Sequence, residues 1–216
     1  MKKNMYSLML AEDVVAAIDA LARLAGANRS QMINSILAEY VSYRTPEQRM
    51  REMFDQMEAL LGGNSALQVM LRSSESMMSL RSPLTFKYNP TIRYNVELYP
   101  TLTPVAGELR VSLRSQNHNL LLYLSQFYKL WGKLSASVCG SGDCQISDGR
   151  FTKWLAIEPG GREISEEELS RGIVEYISVF DGALKAFFYN LDQPAQAISQ
   201  VENIYRRYVA GKPLIL

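Results

Sequence analysis

Residues Lys3–Tyr43 read KNMYSLMLAEDVVAAIDALARLAGANRSQMINSILAEYVSY. Tyr6, Leu8 and Leu10 alternate with Met5, Ser7 and Met9, the period of two that marks a half-buried strand. A helical pattern follows from about Glu12 to Ala25, carried by Val14, Val15, Ile18, Leu21, Ala22 and Leu24. Glu12 and Asp13 fall in its first turn, where the helix dipole favours carboxylates, and Gly26 supplies a left-handed exit. A second helix begins near Arg29, with Asn28 as N-cap and Gln31 at capping-box spacing. Its apolar face is Met32, Ile33, Ile36, Leu37, Tyr40 and Val41. One strand and two short helices cannot bury that much apolar surface alone, and a lone strand leaves its backbone groups unpaired. Both deficits vanish if two chains pair their strands antiparallel and interlock four helices.

This stretch resembles the ribbon-helix-helix family of dimeric transcriptional regulators, the Arc and MetJ type. The matching features are the YSLML ribbon, the AED entry to the first helix, the turn at Gly26 and the NRS start of the second helix. The resemblance implies that Met5, Ser7 and Met9 face the DNA major groove, while Tyr6, Leu8, Leu10, Ile33 and Leu37 form the dimer core. It also implies a phosphate clamp at Asn28, Arg29 and Ser30, where a helix N-terminus is a ready anion site. Two of the three groove positions are Met, which packs on a thymine methyl but donates no hydrogen bond. Lys2, Lys3 and Asn4 at the ribbon's leading end are further candidates for polar contacts.

Composition frames the rest. With 47% apolar and 21% charged residues in 216, the chain is an ordinary soluble globular protein of one or two domains. Its formal charge is +1, and residues 1–45 carry five basic against four acidic side chains. Strong non-specific attraction to DNA is therefore not expected, and binding should rest on geometry and local phosphate contacts. No apolar run is long enough for a signal peptide or a membrane span. Two cysteines without an export signal fit a reducing, bacterial-type cytoplasm.

Thr45, Pro46 and Gln48 start a third helix that should continue to Leu61 and end at Gly62-Gly63-Asn64. Its stripe of Met50, Phe54, Met57, Leu60 and Leu61 reads as core rather than as a ligand groove. Residues 62–82 are rich in Ser and Met and read as an inter-domain linker, with room for a helix between Ala66 and Leu80. From Pro83 alternation returns, at Phe86 and Tyr88, at Ile92, Tyr94, Val96 and Leu98, and at Leu109, Val111 and Leu113. Lys87, Arg93, Arg110 and Arg114 interleave with aromatics; the polar face of a half-exposed sheet is favoured over a second nucleic-acid surface. Helices are expected over Asn117–Leu134, after the Ser165 cap, and over Pro194–Val209. Turns are expected at Ser147-Asp148-Gly149 and at Pro159-Gly160-Gly161.

Cys139 and Cys144, four residues apart, match neither a C-x-x-C redox motif nor a four-ligand zinc site, and the sole histidine is His118. No phosphate loop, Ser-His-Asp set or paired carboxylates stand out, so neither enzyme chemistry, a metal nor a cofactor is expected. The expected fold is α+β: a ribbon-helix-helix at 1–43, an added helix at 44–61, a linker at 62–82, and a domain at 83–216 with a small antiparallel sheet and several helices. The expected function is a sequence-specific repressor acting on double-stranded DNA as a homodimer or higher even oligomer, with a small molecule or protein as partner of the C-terminal domain. Rival readings are an antitoxin-like interaction module and a ribbon-helix-helix dimer without DNA binding.

Overall fold

A computed structural model of the chain describes residues 5–41, 43–63, 66–70, 74–102, 104–140, 142–147, 149–157 and 164–215. The expectations placed on Lys2, Lys3, Asn4, Asn64, Asp148 and Pro159-Gly160-Gly161 lie outside those residues, as does the side chain of Cys139. The chain is α+β and divides into two compact units, Met1–Arg49 and Met50–Leu216.

The first unit holds α1 (Glu12–Leu24) and α2 (Arg29–Tyr40) and opens α3 (Pro46–Leu61). Gly26, at φ +63°, makes the left-handed turn out of α1. A reciprocal capping box starts α2: the Gln31 N–H donates to Asn28 Oδ1 at 2.9 Å, and the Asn28 N–H donates to Gln31 Oε1 at 3.0 Å. Thr45 and Gln48 repeat the device ahead of α3, at 3.2 and 2.9 Å. No strand forms over residues 5–10. Among the described residues of its own unit the alternation has no strand to pair with, and a β ladder needs a second strand.

The second unit is built on a six-stranded antiparallel sheet, comprising β1 (Gln68–Val69), β2 (Met77–Pro83), β3 (Thr91–Leu98), β4 (Val105–Leu113), β5 (Cys144–Ser147) and β6 (Arg150–Ala156). Its spatial order is β1-β2-β3-β4-β6-β5. Leu80, Tyr94, Val111 and Phe151 lie side by side across four strands on the buried face. Ser79, Asn95, Arg110 and Thr152 form the neighbouring row on the open face. The linker expected at 62–82 is thus replaced by β1 and β2, and Phe86 and Tyr88 belong to the loop before β3 rather than to a strand. That loop turns back through Tyr88 and Asn89, both at positive φ, a conformation closed to an extended strand.

The buried face is covered by α4 (His118–Cys139), α5 (Glu166–Tyr189) and α6 (Pro194–Ala210), and the buried side of α3 joins the same core. Met50, Met53, Phe54, Met57 and Leu61 of α3 are all buried there, which explains the methionine stripe as packing; Leu60, expected in the same stripe, is instead exposed. Ser165 and Glu168 cap α5 reciprocally, at 3.2 and 3.1 Å. Phe180 is the hub, with its ring centroid 5.0 Å from Phe151, 5.1 Å from Trp131 and 5.3 Å from Phe127. Beside it the Tyr94 hydroxyl donates to Asp181 at 2.8 Å, and Lys185 Nζ donates to the other carboxylate oxygen at 2.7 Å. The buried carboxylate is thereby paired, as low dielectric requires.

Gly107 sits opposite Leu98 beside an irregularity in the β4–β6 pairing. A Cβ there would overlap the Glu97 carbonyl oxygen and crowd Leu98, all backbone. Gly107→Ala is expected to cost about 3 kcal/mol or more. Gly182→Ala, on an open stretch of α5 with nothing in reach, should instead stabilise by about 1 kcal/mol. Denaturant titration of the two variants checks both signs.

Candidate nucleic-acid interface

The first unit contains very little interior. Among the described residues its buried apolar side chains are Ala22 and Ala38 alone. Among the described residues, thirteen of the twenty large exposed apolar side chains fall within the first 43 positions. Met5 is 97% exposed, Tyr6 79% and Leu8 62%, so the sequence's division into groove-facing and core-facing positions is not realised in one chain. Met9, Ser7 and Leu10 are exposed as well. Of the residues expected in a dimer core, Ile33 is half-buried and Leu37 is exposed. The physical reason is the one that removes the strand: nothing within the same unit lies over these side chains.

Asn28, Arg29 and Ser30 do come together at the head of α2, but in different roles. Asn28 is consumed by the capping box. Arg29 reaches across to α1, where Nε and a terminal nitrogen meet the two carboxylate oxygens of Asp19 at 2.7 and 2.5 Å. This bidentate pair fixes the angle between the two helices. Ser30 is exposed. With the Asn28 N–H spent on Gln31, the Arg29 and Ser30 N–H groups are the ones left to point outward at the helix's positive end. The head of α2 can therefore take an anion through backbone donors, while the Arg29 side chain serves as the brace.

Sequence reading missed Asp19. It lies ten residues before Arg29, across a turn, at a spacing that belongs to no local motif; a lone acid on the polar side of an amphipathic helix gives no warning. The Arg29 guanidinium bound to it holds the Asp19 carboxyl below its ordinary range, and Asp19 in turn raises Arg29.

The basic residues of the second unit are dispersed. Arg110 pairs with Glu97 at 3.1 Å and with Glu108, Arg81 donates to Gln68 at 2.9 Å, and Lys87 lies 5.2 Å over the Tyr88 ring. Arg93 stands on the open sheet face opposite Arg81. Cys144 is a free thiol whose Sγ would be 3.4 Å from a Cβ at Gly132 of α4, and burial pushes its ionisation up. Next to it Lys153 is buried, with Nζ donating to Ser135 at 3.4 Å and 3.7 Å from Asp143. Among the described residues no helix is long and apolar enough to cross a membrane. No protein-family model matches the chain, and no curated protein or solved structure matches it.

The Asp19 pair should leave a pH signature. Because the folded carboxyl is held below its ordinary value, its contribution is complete above about pH 4 and disappears as pH falls through the lowered value. Protection of the α1 and α2 amides, the ratio of intrinsic to observed exchange rate, should therefore fall between neutral pH and about pH 3. Asp19→Asn should exchange faster at neutral pH and lose that extra acid sensitivity.

Proposed function

We propose that the chain is a homodimeric DNA-binding regulator, most simply a repressor. Two copies of residues 5–10 pair into a ribbon for the major groove, and the heads of the two α2 helices hold DNA phosphates. The observation that carries this reading is the exposure of Tyr6, Leu8, Leu10 and Leu37 in a unit whose own buried apolar residues are two alanines. Surface of that kind on so small a unit marks an interface. A second copy answers it most economically, because the same alternating segment that lacks a ladder partner supplies one when it meets itself antiparallel. The sequence resemblance then assigns the ribbon's outer face, Met5, Ser7 and Met9, to base edges. Lys2, Lys3 and Asn4 precede that face in the chain and would reach phosphates or bases at its ends.

The interaction-module reading fits less well. A tail that folds on its target is short and poor in core residues, whereas residues 50–216 carry a continuous core of their own. A dimer that has lost DNA binding keeps support from Met5 and Met9, which offer bases no hydrogen bond.

Selection of bound sequences from a random DNA pool by the full-length protein is expected to enrich an inverted or directly repeated short motif. Failure to enrich any motif at low salt, with a dimer established by sedimentation, would refute the DNA reading while leaving the dimer standing. Ser7→Ala should shift base preference at one position of each half-site by about 1 kcal/mol. Arg29→Glu should weaken binding to every sequence by about tenfold. The charge-swapped pair Asp19→Arg with Arg29→Glu should recover most of that loss, because the brace is restored. If the swap recovers nothing, Arg29 touches phosphate directly.

A further inference from the structure

The basic side chains of the second unit are dispersed, but two of them are neighbours. Arg81 of β2 and Arg93 of β3 stand directly opposite each other on the open face of the sheet, and both are exposed. Like charges in that register repel. Arg81 Nε donates to Gln68, whereas the Arg93 side chain has no hydrogen-bond or ion-pair partner among the described residues. The positions on either side of the pair along its row are Gln68 and Ser112, and those before and after it on the same face are Ser79, Pro83, Thr91 and Asn95. None of these is acidic, and Glu97, further along β3, is held by Arg110. An anion laid across β2 and β3 would relieve the repulsion.

The loop that joins the two strands begins about 7 Å from this pair, two residues of strand away, and it carries a projecting ring. Tyr88 sits at φ +68° and is 87% exposed. Gly or Asn makes such a turn more readily, so the ring is kept there at a cost to the backbone. Lys87 places its Nζ 5.2 Å over it. Beside the loop, Thr85 lines a cleft of about 370 Å³ together with Lys185 and Tyr189 of α5, and Tyr189 is 85% exposed. Among the described residues of the second unit, no other large exposed apolar side chain exceeds 51%.

Two adjacent guanidinium groups a short strand away from two bare aromatic rings suit one ligand chemistry, a flexible chain of phosphates with unstacked bases. Phosphates pair with guanidinium groups, and unpaired bases stack on tyrosine with little regard to sequence. A duplex keeps its bases stacked internally and leaves rings of this kind without a partner. We infer that the β2–β3 hairpin and the neighbouring end of α5 bind single-stranded nucleic acid, with phosphates at Arg81 and Arg93 and bases on Tyr88 and Tyr189. The inference stands on the second unit and does not require the first unit to bind DNA.

Fluorescence anisotropy of the full-length protein with labelled oligothymidylate and oligouridylate of about twenty nucleotides tests it. An abasic oligomer of equal length and polyglutamate serve as competitors that carry charge without bases. At least one oligonucleotide is expected to bind at low salt with a Kd of about 10 μM or below, and the tighter of the two identifies the sugar. Arg81→Ala and Arg93→Ala, at exposed positions, should each lower the slope of log affinity against log salt by about 0.7. Tyr88→Gly should weaken binding about tenfold while leaving that slope unchanged and keeping or raising Tm, a combination that loss of the fold cannot give. Arg29→Glu, at the head of α2, should leave single-strand binding unchanged whatever it does to duplex binding, which separates this proposal from the regulator reading. The proposal is overturned if neither oligonucleotide binds, if the abasic oligomer or polyglutamate competes as well as the unlabelled oligonucleotide, if binding is indifferent to Arg93→Ala and Tyr88→Gly, or if Arg29→Glu abolishes it.

Discussion

The constraint on which the molecule's organisation turns is an apolar surface with nothing in its own unit to cover it. Residues 5–43 carry Met, Tyr, Leu, Val and Ile at a density suited to a core, yet their two helices enclose only Ala22 and Ala38. Every buried methylene is worth about 0.8 kcal/mol, and nothing within this unit recovers that energy. The Asp19–Arg29 pair and the Asn28–Gln31 capping box hold the two helices at a set angle without an interior. Polar contacts of this sort define shape more than they supply stability. In the proposed dimer they would preshape one half of an interface whose energy lies in the other half.

The second unit shows the opposite economy. Its sheet is buried on one face by four helices, and aromatic rings from β3, β6, α4 and α5 meet around Phe180. Polar groups drawn into this interior are matched, as with Tyr94, Asp181 and Lys185, and Trp131 donates to Tyr176 at 2.9 Å. The hydroxyls of Tyr128 and Ser82 are buried without a hydrogen-bond partner among the described residues.

What could be read from the sequence follows from the range of the signal. Capping boxes span three residues, and those at Asn28, Thr45 and Ser165 mark helix starts that the structure shares. Period-two runs rich in Val, Ile and Tyr located β3 and β4. The strand β2 escaped because its inward positions are Met78, Leu80 and Ser82, a set without β-branched residues and therefore weak in strand propensity. Phe86 and Tyr88 misled in the other direction, since two aromatics one residue apart imitate a strand and only backbone geometry shows a turn. The candidate sites were legible in unequal parts. The ribbon positions and the head of α2 came from local pattern, but Asp19 depends on a contact that no sequence spacing encodes.

Charge then bears on how the proposed dimer would work. The first unit has six basic and five acidic residues, and the second has seventeen of each. Neither offers the long-range field that holds a strongly basic protein on arbitrary DNA. Affinity in the proposed complex must therefore come from two ribbons and two α2 heads engaging together, each contributing little alone. Two such half-interfaces joined in one dimer gain by effective concentration what they lack in charge. In the proposed complex the apolar surface that would drive pairing and the weak electrostatics of the DNA face belong to one arrangement: a monomer would have neither a ribbon nor enough charge to stay on DNA, so binding would be tied to dimerisation.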